Sequence, residues 1–472
     1  MNLGSLLLAL VLAPRAHAGS IATAGVTGGL DSGAATANPA AVMYNPAAMG
    51  GAKGVQLLLD GEASFIRLNI TTTRNGGIDP NTGAAYLPAT AKVLVPNALL
   101  GVTWQAIPKR LTLGFAAYDP FVGGGDYRST EQGTPPPYTG HQRYEIINTQ
   151  IITLALEPAV ALTVVDGVHV GGGASYVIDM INVLQASDPL GTEGVLSSEL
   201  DQAVPDHPYA LDTYLQGSAT GHHFGWNAGL FVDRWEKLQV GVSFSGGSRF
   251  QASGDGSVTV PEDLSTVAGG VVVPAKVSVE FPLPPVARLY LSSQVNEKLT
   301  LGAGVDYQLW NVCCGGQDGD IAIGLTNTQG AAIGPDDGVT IEIATEQYNP
   351  RRLWNSMDIS QLGGVQINDR IWAGWRLMFN QNAVPSYAVS PANLDFNNAG
   401  FSLGGRYLVG KHLSLGLGYT KYFLFTRTIT DSAWDLRDGN SRFSPQLPYV
   451  ASTNGTYKGS VDTLGLRVGA KF

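Results

Sequence analysis

The chain has 472 residues, 44% of them hydrophobic and only 14% charged, against roughly 25% charged in an ordinary soluble domain. No internal stretch reaches the roughly 20 apolar residues of a helical membrane span, which argues against a helical membrane protein. A formal net charge of -10, with no basic patch interleaved with aromatics, argues against a nucleic-acid binder.

Residues 3–13 form a short apolar core, and Ala16, His17 and Ala18 give the small-residue pattern of a cleavage site before Gly19. This predicts an export signal over 1–18, although its start lacks Lys or Arg. Residues 19–54 are small, turn-rich and unlike a strand. They hold a duplication, Asn38-Pro39-Ala40-Ala41 and Asn45-Pro46-Ala47-Ala48, in which each Asn-Pro pair can start a turn or a short helix. A flexible leader and a compact plug both fit this composition, and the repeated helix-start signals favour the plug.

From Val55 onward, period-two alternation predicts fourteen strands over 55–68, 98–106, 110–120, 147–158, 168–182, 223–233, 237–249, 286–294, 299–311, 353–364, 369–379, 398–408, 412–425 and 460–472. An even count suits a single-chain membrane barrel. Segment 271–281 is assigned to a loop, because Pro274 and the prolines after Phe281 interrupt regular pairing. In the last strand Leu464, Leu466, Val468, Ala470 and Phe472 fall on one face, and Arg467 and Lys471 on the other. An apolar outer face with a polar or glycine inner one is the reverse of a soluble barrel.

Connection lengths separate this reading from a soluble sandwich, which would share the alternation. The connections 107–109, 234–236, 295–298, 365–368 and 409–411 are tight, and 159–167 is intermediate. By contrast 69–97, 121–146, 187–222, 250–285, 312–352, 380–397 and 426–459 are long. All short turns therefore fall on one side of a membrane and all long loops on the other. The expected fold is an all-β transmembrane antiparallel barrel over 55–472, with 19–54 as an N-terminal hatch in its lumen. Loop 250–285 is unusually apolar, with Val271, Val272, Val273 and Phe281, and offers a first stop for a greasy ligand.

Catalytic and metal signatures are missing. Cys313 and Cys314 are adjacent, which leaves a vicinal disulfide or two thiols and rules out a disulfide scaffold. His222 and His223 lack a suitably spaced third ligand and read as surface histidines. The acidic runs at 317–320 and 335–338 lack EF-hand spacing. There is no Gly-x-Ser-x-Gly elbow, Walker loop or His-Glu-x-x-His motif, so neither an enzyme nor a cofactor is expected.

Four segments carry a resemblance to a known family: NPAAVMYNPAAM at 38–49, YDPFVGGG at 118–125, PANLDFNNAGFSLGGRY at 391–407 and NGTYKGSVDTLGLRVGAKF at 454–472. Together and in this order they resemble the FadL/OmpP1/TodX family of outer-membrane transporters. The resemblance implies a fourteen-stranded barrel with an N-terminal hatch, carrying long-chain fatty acids or aromatic or alkyl hydrocarbons and releasing them through the barrel wall. It places Asn38, Pro39, Ala40, Asn45, Pro46 and Ala47 in the hatch, and loops 187–222 and 250–285 in the ligand-gathering region. The partners it implies are a hydrophobic small molecule, outer-membrane lipid and lipopolysaccharide, with the chain a monomer in a Gram-negative outer membrane. Arg467 and Lys471, as inward cations, are conceivable carboxylate partners, though their place on the terminal strand fits pore lining or proximity to lipid headgroups better. The alternative is a non-specific porin or a structural or adhesive surface protein.

Overall fold

In a bilayer each backbone N–H and C=O must find its partner inside the protein, so strands can cross only as a closed ladder. The computed structural model describes residue 30 and residues 32–73, 85–128, 138, 140–143, 145–187, 212–259, 272–314, 321–326, 331–333, 339–341, 344–349, 351–432 and 453–472. The expected signal 1–18, and residues 19–29 and 31 of the expected hatch, lie outside these.

The chain opens with a short helix α1 (Ala41–Tyr44) and a 3-10 turn (Pro46–Gly51), then runs through strands β1 (Val55–Thr72), β2 (Ala89–Ile107), β3 (Leu111–Tyr118), β4 (Val122–Asp126), β5 (Asn148–Val165), β6 (Val168–Ser187) and β7 (Thr213–Trp235). It continues with β8 (Leu238–Ser245), β9 (Ser248–Thr259), β10 (Val272–Leu283), β11 (Val286–Gln294), β12 (Leu299–Gln308), helix α2 (Trp310–Cys314), β13 (Ile321–Thr326), β14 (Ala331–Ile333), β15 (Val339–Ile341) and β16 (Ala344–Asn349). The last strands are β17 (Ser356–Gln366), β18 (Ile371–Asn380), β19 (Asn398–Val409), β20 (Leu413–Leu424), β21 (Arg427–Ile429) and β22 (Gly455–Lys471).

Twenty of these segments form one antiparallel sheet, and β14 and β15 pair apart from it. The sheet closes because β1 pairs with β2 on one side and with β22 on the other, from Gln56 opposite Lys471 to Thr72 opposite Gly455. Six of its passes are each broken in two, as β3–β4, β8–β9, β10–β11, β12–β13, β16–β17 and β20–β21, so the wall is a fourteen-stranded barrel. The alternation sets which face meets lipid. On β1, Leu57, Leu59 and Phe65 are exposed, whereas Asp60, Glu62 and Ser64 are buried in the lumen. On β22 Leu464, Leu466, Val468 and Phe472 are exposed and Arg467 is buried.

The segment 271–281 corrects the sequence reading. From Val272 it is strand, the outer half of the eighth pass, which β11 continues. Pro274 and Pro282 sit opposite Ser257 and Arg249 in the pairing with β9, while Pro284 and Pro285 fall in the joint between β10 and β11. The prolines therefore kink one pass without ending it, and the count of fourteen stands. Val273, Val277 and Phe281 are buried, so the supposed apolar loop is an inner wall. The connection 250–285 shrinks to 260–271, outside the described residues.

Other loops shorten for a related reason. At 23 residues and a rise of roughly 3.3 Å each, β7 is far longer than a tilted crossing of a roughly 25 Å apolar band needs. Its residues Thr213–His222 have no lipid to face, so they lack the apolar alternation that marks a strand in the sequence. Strands likewise occupy parts of the expected loops 69–97, 121–146, 312–352 and 426–459. At the other end the turns are tighter than expected. β5 runs to Val165, and Asp166-Gly167 turn the chain into β6, with Gly167 at a φ of 73° that an L side chain resists.

Residues of the N-terminal segment lie inside the barrel against β5, β6 and β7, with Ala34, Ala35 and Ala40 to Met49 buried. Small wall residues make the room. A Cβ on Gly241 would stand 1.8 Å from the carbonyl oxygen of Ala34, whereas one on Gly61 would meet nothing within 4 Å. Gly241→Val is therefore expected to destabilise the barrel by about 1–3 kcal/mol and to open residues 32–54 to limited proteolysis. Gly61→Ala should change neither thermal unfolding in detergent nor the cleavage pattern.

Candidate functional site

The wall has one pass whose break leaves a neighbour without a ladder. β3 ends at Tyr118, then Asp119, Pro120 and Phe121 intervene before β4, and Pro120 brings no N–H for pairing. β2 pairs with β3 only between Leu99 and Ile107, while its residues from Ala89 to Ala98 are paired with β1. β4 pairs with β5. Among the described residues no ladder joins the outer half of β2 to β4.

Side chains replace part of the missing backbone bonding. The Asp119 carboxylate accepts the N–H of Ala98 at 3.1 Å. On the other flank, the Thr153 hydroxyl accepts the N–H of Phe121 at 2.9 Å and donates to its carbonyl at 2.6 Å. The Thr153 N–H reaches the same carbonyl at 3.1 Å. Phe121 is thereby held to β5 while β2 is released.

Behind the break lies a cavity of about 90 Å³. Phe121 of the break and Gly123 and Gly124 of β4 line it, and Ile151, Val183, Val279 and Phe281 form its walls. The Phe281 ring stacks on Phe250 with centroids 4.4 Å apart and stands 6.1 Å from that of Phe121. The Arg351 guanidinium lies 5.2 Å from the Phe281 ring centre and 5.0 Å from that of Trp310, and donates to the Pro282 carbonyl at 2.9 Å. Asn393 and Leu394 line the cavity from the connection between β18 and β19. Asp395 ties that connection together, accepting the N–H groups of Ala383 at 2.7 Å and Phe396 at 2.8 Å. Burial pushes the Asp395 carboxyl up to about 7, against these bonds and the nearby Arg427.

The residues singled out near the N-terminus come together in the lumen. The Asn38 side chain accepts the N–H of Ala40 at 2.9 Å, and the Asn45 side chain accepts that of Ala47 at 3.2 Å, with Pro46 at the first position of the 3-10 turn. Each Asn-Pro pair thus begins a short helical turn. Pro39 would stand within 2.9 Å of a Cβ on Gly101. Asn45 also donates to the carbonyls of Ala34 at 2.7 Å and Leu230 at 3.1 Å. Carbonyls at the end of α1 receive wall donors. Asn227 reaches those of Val42 and Met43 at 2.9 and 3.3 Å, and Ser243 that of Tyr44 at 2.6 Å. Burial pushes the Tyr44 phenol up to about 12.

The inward cations divide. Arg467 bonds Asp60 at 2.8 Å and the Leu30 carbonyl at 3.3 Å, so it fastens the wall to the N-terminal segment, whereas Lys471 is exposed. The adjacent histidines take opposite faces. His222 is exposed and stacks on Tyr176, while His223 turns inward to Asp179 at 2.8 Å. Cys313 is disulfide-bonded. The acidic runs 317–320 and 335–338 and the loop residues 188–211 lie outside the described residues. Sequence reasoning missed Asp119, Phe121 and Thr153. Pro120 was the available signal, at the end of the expected strand 110–120 and inside the motif at 118–125 that carried the resemblance.

Residues 12–312 match the family model described as outer membrane protein transport protein (OMPP1/FadL/TodX). No curated protein sequence matches the chain. Among solved structures, a Pseudomonas aeruginosa FadL homologue superposes with a TM-score of 0.72 at 16% identity, covering 96% of this chain and 100% of its own. The CymD monoaromatic hydrocarbon channel gives 0.63 at 16% identity over 96% and 99% of the two chains. The Pseudomonas putida toluene transporter TodX gives 0.62 at 15% identity over 97% and 99%.

Two outcomes follow from this geometry. Thr153→Val leaves the buried Phe121 N–H without its acceptor and should cost about 1–3 kcal/mol, read as a lower midpoint of thermal unfolding, with Thr153→Ser near wild type. Asp395 should make the β18–β19 connection pH-sensitive. Its folded pKa, raised to about 7 from 3.8, favours the closed connection most below the unfolded value, and this contribution is lost as pH rises through about 7. Amide exchange of Ala383 and Phe396, corrected for the intrinsic rate, should therefore accelerate as pH rises from about 4 to about 7 and level off above that. Asp395→Asn should flatten that dependence.

Proposed function

Because the chain belongs to the OMPP1/FadL/TodX family of outer membrane transport proteins, we propose that it admits hydrophobic small molecules through the cavity behind Phe121 and releases them sideways into the bilayer. The observation that carries this reading is that the cavity is lined by Phe121 of the break and by Gly123 and Gly124 of β4, the strand that no ladder joins to β2. A solute in the cavity then has an apolar way out between β2 and β4.

The physical case rests on hydration. A water-filled pore gives an apolar body no relief, whereas a lined cavity contributes roughly 0.8 kcal/mol for each buried CH₂. Sideways exit keeps that body out of water on both halves of the route. In this reading residues 19–54 act as a hatch, with Asn38, Pro39, Ala40, Asn45, Pro46 and Ala47 at its centre and 1–18 as the export signal. The barrel works as a monomer in contact with outer-membrane lipid, and long-chain fatty acids or aromatic or alkyl hydrocarbons are its cargo.

Purified protein in liposomes tests this directly, with a labelled long-chain fatty acid, a small aromatic hydrocarbon and a hydrophilic sugar offered in parallel. Entry of either apolar solute with exclusion of sugar supports the reading, and sugar entry through the intact chain overturns it in favour of a porin. A Cβ on Gly123 would already stand 3.3 Å from the Phe121 ring, so Gly123→Phe fills the cavity. It should lower apolar uptake on the order of tenfold in a barrel that still folds.

A further inference from the structure

Two buried acceptor oxygens in the lumen wall border the same gap beside Gly173. Glu157 on β5 is 2% exposed and Asn227 on β7 is 4% exposed. Glu157 Oε1 and Asn227 Oδ1 have no hydrogen-bond partner, and they lie 2.3 and 2.8 Å from the point where a Cβ on Gly173 would stand. Glycine at 173 leaves the space in which these two side chains meet.

The orientation of the amide is fixed from its other end. Asn227 Nδ2 donates to the carbonyls of Val42 and Met43 on α1, which turns Oδ1 away from that segment. Turning the amide over would set Oδ1 against those carbonyls. Glu157 Oε2 already accepts the Tyr118 hydroxyl. A proton on Oε1, donated to Asn227 Oδ1, satisfies both of these oxygens. We infer that Glu157 is a buried proton-binding site that latches the N-terminal segment through Asn227.

Loss of that proton reverses the preference of the amide. A carboxylate at 157 needs a donor, and Asn227 can supply Nδ2 only by turning away from Val42 and Met43. The proton leaves Oε1 for solvent, one buried hydrogen bond breaks, and the amide exchanges the α1 carbonyls for the carboxylate. The charged and titratable groups around the pair are few. Tyr118 on β3 donates to Glu157, Arg288 is the cation on β11 that acts on it, and Tyr44 is the phenol on α1. On β6 and β7, Asp179 and His223 pair with each other opposite Thr153, and His169 lies opposite Thr163.

Infrared spectra of the folded barrel in detergent test the proton. Wild type minus Glu157→Gln should contain the carbonyl band of a protonated carboxyl at neutral pH, and Tyr118→Phe should shift that band if Glu157→Gln does not fold. A spectrum with neither the band nor the shift overturns the site. Amide exchange tests the latch. As alkaline pH empties the band, exchange at Tyr44 and Asn45 should rise on the order of tenfold beyond its intrinsic change, as the loss of one buried hydrogen bond gives. Glu157→Gln, whose amide donates at every pH, should abolish this rise. Exchange indifferent to the band overturns the latch. Neither readout involves cargo, so a failure of apolar uptake removes the transport reading and leaves this one standing.

Discussion

Backbone hydrogen bonding inside lipid is the constraint on which the rest of this structure depends. A strand that leaves its neighbour in a membrane strands a row of donors and acceptors, each costing several kcal/mol. The closed ladder from β1 to β22 avoids that cost around the circumference. The departure of β3 after Tyr118 therefore demands compensation. Pro120 removes one donor, Asp119 takes up the N–H of Ala98, and Thr153 takes up both polar groups of Phe121. A wall that broke by accident would not carry a substitute acceptor on each side of the break.

The same accounting explains the lumen. The N-terminal segment is too short in helix to satisfy its own ends, so its carbonyls need donors, and the inner faces of β7, β8 and β22 supply them from Asn227, Ser243 and Arg467. Close approach then requires small residues in the wall, which Gly241 and Gly171 provide against Ala34 and Ala47. These polar contacts add to an apolar cluster in which Val42, Met43 and Met49 pack with Leu58, Leu99 and Phe231 of the wall. Such polar contacts can also be exchanged for others at small net cost, since a buried amide that loses one acceptor is stable only where it finds another.

Much of the barrel is legible in the sequence because lipid imposes a period of two on the outer face. Leu464, Leu466 and Val468 betray β22 for that reason, and fourteen passes emerge from repeats of the same signal. Where a strand rises beyond the lipid, as in residues 216–222 of β7, both faces are polar or small and the signal vanishes. Proline misled at β10, since a proline in a joint between two paired segments looks in one dimension like the end of a strand. The Asn-Pro pairs were readable as local turns, because their bonds reach only two residues along the chain. Thr153 was not, as its partner Phe121 lies 32 residues away. Nor was Arg467, whose partners Asp60 and Leu30 are brought to it by barrel closure.

Tyr118 joins the two halves of the site. It is the last residue of β3 before the break, and its hydroxyl donates to Glu157, the residue that faces Asn227 and through it α1. The chain that departs from the wall is thus tied, one residue before it departs, to the side chains that hold the lumen segment. A shift in either place must be accommodated in the other, because Tyr118 and Glu157 are both buried and bonded directly to each other. An opening in the wall is useful only when the lumen behind it can take up a solute. The hydroxyl of Tyr118 is the shortest physical connection between these two requirements.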